Sequence, residues 1–282
     1  MIDFPNAKIN IGLNIIRKRS NGYHDLESIF IPVPWYDILE IIPTKNKVEF
    51  SSTGISIPGT ANNNLCLKAF DLLNQDFDIP PIHIHLHKNI PIGAGLGGGS
   101  ADGAFTLKMI NNLFELKITS EQLEAYALQL GSDCPFFIRN QPTYVTGTGD
   151  ELSPVTLDLS NYYIALFNPG IHISTKEAYS GIKPKPSTIS LTEALSDPGS
   201  WQHKMTNDFE AHLFKSHPIL SDLKKEMYAS GALYSAMTGS GSTIFGIFKD
   251  RPNLSHFDQN KSKHLVVSPF DIRKRIVQDY CT

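Results

Sequence analysis

The chain has 282 residues, 41% of them hydrophobic and 19% charged, with a formal net charge of −3. That length suits one large or two ordinary domains at roughly 150 residues each, and a charged fraction below the ~25% of average soluble domains excludes a disordered polyelectrolyte. The mild acidity also argues against nucleic acid as a partner, because that footprint is a strongly basic face.

Residues 1–8 show neither a basic n-region nor an apolar h-region, which predicts a cytoplasmic protein without a secretory leader. No apolar run approaches the ~20 residues of a membrane span, so no membrane partner is expected. Residues 7–13 (AKINIGL) read as an early strand, with Lys8, Asn10 and Gly12 on one side and Ile9, Ile11 and Leu13 on the other. Periodicity alone favours a half-solvated edge strand; the alternative is a face where a Lys and an Asn hold a phosphate and a hydroxyl.

Residues 36–42 and 82–87 read as strands, the second by strict alternation. Between them Asn62, Asn63 and Asn64 offer an N-cap to a helix running to about Asn74. His83, His85 and His87 share one face of the 82–87 strand. Three ligands from one flat strand cannot easily wrap an ion, so a solvent face is expected. A helix is predicted from Ala101 to Leu113. Another starts at Thr119, where Thr119 and Gln122 form a capping-box pattern, and stops at Gly131. Residues 183–200 hold four prolines among turn residues and read as an exposed loop or an interrupted connection. Residues 206–229 look helical on both sides of a break at Pro218, and 243–248 strand-like. Strands and helices interleave without a regular rhythm, which predicts an α+β fold, with a domain boundary near residue 155. Cys66, Cys134 and Cys281 are scattered and odd in number, as expected of reduced thiols.

The strongest chemical signal is Pro91-Ile-Gly-Ala-Gly-Leu-Gly-Gly-Gly-Ser-Ala101, where five of the seven residues 93–99 are glycine. Glycines admit a ligand close to the main chain and permit positive φ, so successive N–H groups can converge. The helix that follows adds free amides and a positive dipole end. No Lys precedes Ser100, so this is not a Walker A loop. A flexible turn would explain a lone Gly-x-Gly; this density between a strand and a helix predicts phosphate binding.

Asp133, in Gly131-Ser-Asp-Cys-Pro-Phe-Phe137, fits two roles. It is placed either to cap a helix or to orient an acceptor hydroxyl and take its proton. Residues 237–242 (MTGSGS) form a second glycine-serine turn, either a plain hairpin or a second wall of donors. Tyr162, Tyr163 and Tyr179 read as ordinary structural aromatics.

Taken together and in order, Ala7-Lys-Ile-Asn10, the 91–104 loop and helix start, residues 131–137 and Met237-Thr-Gly-Ser-Gly-Ser-Thr243 resemble the GHMP kinases. Gly22, Tyr23 and His24 add a likeness to the members that act on a cytidyl diphosphate alcohol. The resemblance implies a two-domain α+β architecture with the active site in the interdomain cleft. Residues 1–155 would be an ATP-binding N-terminal domain, and 156–282 a C-terminal domain contributing to substrate binding.

It further implies that ATP, with Mg²⁺, phosphorylates a small-molecule alcohol in isoprenoid precursor synthesis. Pro91, Gly93, Gly95, Gly97, Gly98, Gly99, Ser100 and Ala101 would cradle ATP, with Asn64 and Lys88 at the adenosine. Asp133 would be the catalytic carboxylate and Lys8 its charged neighbour. Asn10, Tyr23, His24, Tyr179 and Gly239 would hold the substrate. A mevalonate- or homoserine-type kinase, or a non-catalytic nucleotide-binding relative, is the alternative. No protein metal ligand is implied. Ala101 and Asp102 stand where some relatives have Ser-Asn.

Overall fold

The computed structural model describes residues 1–59, 63–255, 257 and 264–269. The chain forms two compact units, each assembled from separate segments. The first unit takes Met1–Ala7, Trp35–Ile92 and Gly97–Gln141; the second takes Lys8–Pro34, Gly93–Leu96 and the chain from Pro142 on. Two early strands and Gly93–Leu96 of the glycine loop thus pack with the later chain.

The first unit contains β1 (Ile2–Asp3), β4 (Ile38–Pro43), β5 (Glu49–Gly54) and β6 (Ile82–Lys88), ordered β1-β4-β6-β5. Only β5–β6 is parallel among these pairs. Its helices are α1 (Leu65–Asn74), α2 (Gly98–Leu113), α3 (Ser120–Leu130) and α4 (Cys134–Arg139). Ile82, Ile84 and Leu86 bury one face of β6. Its three histidines lie on the other face and share hydrogen bonds with Ser51 and Thr53 of β5, at 2.8–3.1 Å. Among the described residues no cluster of three or more His, Cys, Asp or Glu could hold a metal.

Local chemistry sets the helix starts here. The Asn64 side chain accepts from Cys66 N, and Thr119 and Gln122 complete their capping box. Gly131 ends α3, its N–H donating to Ala127 O. Asn62 and Cys281 lie outside the described residues; Cys66 and Cys134 are buried free thiols.

The second unit contains two sheets. One is ordered β2-β3-β7-β8, from β2 (Asn6–Lys18), β3 (His24–Tyr36), β7 (Thr143–Thr146) and β8 (Glu151–Pro154). The other, fully antiparallel, is ordered β10-β11-β9-β12, from β9 (Tyr163–Asn168), β10 (Tyr234–Met237), β11 (Ile244–Phe248) and β12 (His264–Pro269). Helices α5 (Thr175–Ser180), α6 (Leu191–Ala194), α7 (Trp201–Lys204), α8 (Glu210–Ser216) and α9 (Pro218–Ala229) belong to this unit. Leu13, Ile15, Phe167, Phe209, Leu223 and Met237 lie in its core. No described helix is long and apolar enough to cross a membrane.

Four expectations change. The 36–42 strand begins only at Ile38, because Asp37 turns inward to accept from Asn89 N and Ile90 N. The early strand is not half-solvated: Lys8 is 3% and Asn10 1% exposed, so β2 is buried on both faces. Residues 183–200 are more than a loop, since Leu191, Ala194 and Leu195 are buried around α6. Their i, i+3, i+4 spacing was the overlooked signal. Finally, residues 206–209 are not helical, and Leu13 and Asn207 form a parallel bridge instead.

Candidate active site

The glycine loop runs directly into α2 of the first unit. Gly97 is the N-cap in the left-handed region (φ 70°), and no side chain caps this helix. Ala101 N donates to Gly97 O, so the amides of Gly98, Gly99 and Ser100 begin the helix without an intrahelical acceptor. A Cβ on Gly98 would fall 2.9 Å from Ile90 Cγ2 and 3.0 Å from Lys88 Nζ, so this glycine serves packing. At Gly99 a Cβ would meet nothing within 4 Å. The same loop thus carries one structural glycine and one that faces open space. Ala101 is buried, and Ser100 bonds the Cys134 thiol, which burial pushes up to about 12.

Beneath this helix start lies a buried charge cluster. Lys88 Nζ donates to Asp37 Oδ2 at 2.5 Å and to Asp102 Oδ2 at 2.7 Å. One ammonium serves two carboxylates, and Asp37 holds two backbone N–H groups as well. Asp102 Oδ1 is buried and unpartnered. Burial raises its pKa well above the usual carboxylate range, against the pull of Lys88. For Lys88, burial lowers the pKa, but Asp102 and Asp37 outweigh it and the net shift is upward. Lys88 and Asn64, expected at the adenosine, are therefore already engaged within their own unit. Asp133 is the N-cap residue of α4 but makes no side-chain cap hydrogen bond, so capping does not explain it.

In the second unit β2 places Lys8 and Asn10 side by side. Lys8 Nζ donates to Asn10 Oδ1 at 2.8 Å and lies 4.4 Å from the centre of the Phe30 ring. Asn10 Nδ2 donates to Ser28 Oγ at 3.0 Å, which donates to Gly12 O at 2.6 Å. Thr238 Oγ1 accepts from Asn10 N at 3.2 Å and lies 3.1 Å from both Asn10 Oδ1 and Gly95 O, to one of which it donates. A Cβ on Gly95 (φ 77°) would fall 2.1 Å from Thr238 O. The 237–242 turn is indeed the link between antiparallel β10 and β11, and it also packs on Asn10 and Gly95. Ser28 and Phe30 carry no local signal in the sequence, since their partners Asn10 and Lys8 are distant along the chain.

Tyr179 stacks on His24, with ring centroids 4.8 Å apart and planes 30° apart, and meets the edge of Phe209. Burial, then the charge of Lys18, holds the His24 pKa below its usual value, so the ring is neutral near pH 7. Tyr23 is 65% exposed beside this stack. Tyr179 is thus no isolated surface aromatic.

Known proteins share both the sequence and the geometry. The family model "GHMP kinases N terminal domain" matches residues 64–141, and "GHMP kinases C terminal" matches 191–256. A 4-diphosphocytidyl-2-C-methyl-D-erythritol kinase of Cytophaga hutchinsonii is 50% identical over 91% of this chain and 95% of that protein. One of Bacteroides fragilis is 48% identical over 92% of this chain and 96% of its own length. A crystal structure of 4-(cytidine 5'-diphospho)-2C-methyl-D-erythritol kinase superposes with a TM-score of 0.75 at 30% identity, covering 87% of this chain and 89% of that one.

Proposed function

The chain belongs to the GHMP kinases, and from that premise we propose that it phosphorylates 4-diphosphocytidyl-2-C-methyl-D-erythritol on its 2-hydroxyl, with ATP as donor. The observation that carries this reading is the 50% identity, over nearly the whole chain, to a kinase named for that substrate. The enzyme acts in the cytoplasm, in non-mevalonate isoprenoid precursor synthesis. Residues 1–155 form its ATP-binding domain and 156–282 the domain that contributes to substrate binding.

Phosphoryl transfer asks little covalent chemistry of a protein; rate comes from alignment and from stabilising charge on the moving group. The uncapped amides at the head of α2 receive phosphate oxygens through main-chain donors and the helix dipole. Pro91, Gly93, Gly95 and Gly97 shape that approach. Lys88 and Asn64 border the adenosine from positions already fixed by their own hydrogen bonds. Lys8 offsets negative charge at the reacting oxygens, and Asn10 directs the acceptor alcohol.

Asp133 orients the hydroxyl and receives its proton as the bond to phosphorus forms. The exposed Tyr23 and the neutral His24 hold the cytosine, with Tyr179 stacking on it. Gly239 closes the phosphate end. Mg²⁺ would accompany ATP, its usual coordination keeping several waters. When bound, it neutralises charge on the transferring group.

The test is an ADP-release assay with the purified enzyme against a panel of alcohols: the cytidyl diphosphate, mevalonate and homoserine. Turnover of the cytidyl substrate with Asp133→Asn reduced at least ~100-fold in kcat, at unchanged ATP binding, is expected. Phosphorylation of mevalonate but not the cytidyl diphosphate would reject the reading.

A further inference from the structure

The 237–242 turn is held in shape by a segment that the mechanism has not used. Asn207 is 3% exposed, and its amide is engaged on both ends. Its Nδ2 donates to Met237 O at 2.7 Å and to Gly239 O at 2.8 Å, while Oδ1 accepts from Phe209 N at 3.0 Å. On either side, Leu13 N donates to Thr206 O and Asp208 N donates to Leu13 O, at 2.7 and 2.9 Å. Asp208 Oδ2 accepts from Ile15 N at 2.7 Å. Glu210 Oε1 accepts from Met237 N at 2.7 Å, and its Oε2 is held by Lys224 Nζ at 2.6 Å. Residues 206–210 therefore tie β2, which carries Lys8 and Asn10, to the turn.

That tie has a directional effect. A planar trans peptide points its C=O and N–H opposite ways. With Gly239 O drawn to Asn207, the Ser240 N–H of the same peptide faces away from Asn207. Gly239 itself is left-handed (φ 55°), a conformation that lets neighbouring amides converge on an anion. Among the described residues neither Gly239 N–H nor Ser240 N–H has a protein acceptor. A Cβ on Gly239 would lie 3.6 Å from Asn10 Oδ1, so these donors sit beside the substrate-side residues.

We propose that Asn207 is a positioning residue for phosphoryl transfer: by tying back the carbonyls of Met237 and Gly239, it aims the Ser240 amide at the transferring phosphoryl group. This rests on the kinase reading above. The side chain touches no substrate; it fixes the orientation of a donor that does. Such a donor strengthens its hydrogen bond as charge develops, so its loss appears in kcat more than in KM.

The full-length enzyme is compared with Asn207→Ala and with the nearly isosteric Asn207→Asp, which keeps the acceptor for Phe209 N but faces two carbonyls with a carboxylate. Leu223→Ala, on the buried face of α9, supplies a control that lowers Tm away from the turn. Expected for both Asn207 variants is a fall in kcat of at least tenfold per folded molecule, with both KM values within about threefold. The control should keep its kcat. Asn207 variants whose kcat per folded molecule is no lower than that of the control overturn the proposal.

A second readout needs no variant. In ¹⁵N-serine-labelled wild type, the Ser240 amide resonance should shift when the alcohol and a non-hydrolysable ATP analogue are added; an unmoved resonance overturns the proposal. Wild-type enzyme that turns over no alcohol sinks the kinase reading instead. The ATP-analogue titration then still decides whether the tied turn meets phosphate.

Discussion

The loop at 93–99 is held largely through its main chain, with Leu96 O accepting from Lys8 N and Ala94 O from Thr243 N, whereas the turn at 237–242 is clamped by side chains far away in sequence. In the first, Gly95 and Gly97 adopt positive φ and the chain passes straight into α2. In the second, Asn207 and Glu210 hold the turn from about thirty residues upstream. The supports beneath them also differ. Glu210 is matched by one lysine, Lys224, although burial still raises its pKa. Lys88 is shared between two carboxylates and leaves one oxygen of Asp102 unpartnered. A glycine-rich turn can therefore be made rigid either by main-chain geometry or by long-range side-chain clamps. The two kinds fail differently when mutated.

Gly95→Ala should have the largest effect, because it strikes both turns at once. The new Cβ would lie 2.1 Å from Thr238 O at a φ of 77°, so stability should fall by more than about 3 kcal/mol, with turnover lost. A thermal melt and kcat check this. A variant with wild-type Tm would show that the two turns hold their shapes independently.

Gly99→Ala sharpens the contrast from the other side. Nothing of the protein lies within 4 Å of the added methyl, and alanine inside a helix gains about 0.5–1 kcal/mol over glycine. The fold should therefore be kept or slightly strengthened, while KM for ATP rises about tenfold as the methyl enters the ligand's space. A rise in Tm with an unchanged KM would take Gly99 out of the ATP site.

Asp102→Asn should have the smallest effect, and one that depends on pH. Because burial raises the folded-state pKa of Asp102, its native form binds a proton more tightly than the unfolded chain does. The stability it contributes is complete below the unfolded pKa of about 3.9 and is lost as pH rises through the raised native value. The asparagine variant should thus gain on wild type as pH rises from about 4, the unfolded value. Melting both proteins across that range tests it; a Tm difference that stays flat with pH would mean that Asp102 ionises alike in both states.

The same contrast explains what the sequence made legible. The cap at Asn64, the capping box at Thr119, the alternation of β6 and the glycine loop all encode their geometry within a few residues. Each could be read, and each stands where expected. The burial of Lys8 and Asn10, the Asn207 clamp and the His24–Tyr179 stack each join segments far apart in the chain. β2 is an edge strand as expected, but periodicity left one face in solvent because nothing local announces that Thr238 and Leu191 close over it. Asp37 broke a strand for a similar reason: its reward, two amides and an ammonium, comes from residues 88–90. The ordered set of four motifs compensated for this by carrying the family resemblance whole.

ATP bound at the uncapped head of α2 would tie the enzyme's durability to its donor. Sixteen residues of helix begin on amides that no side chain satisfies, whereas α1 and α3 in the same unit are capped from within. Where the nucleotide completes that helix start, ATP is a structural component as well as a reactant. Free ATP at 100 times its Kd would add about 2.7 kcal/mol to the folded state. The protein would then resist heat and proteases better in an energised cell than in a starved one. Its lifetime, as well as its rate, would follow the nucleotide supply.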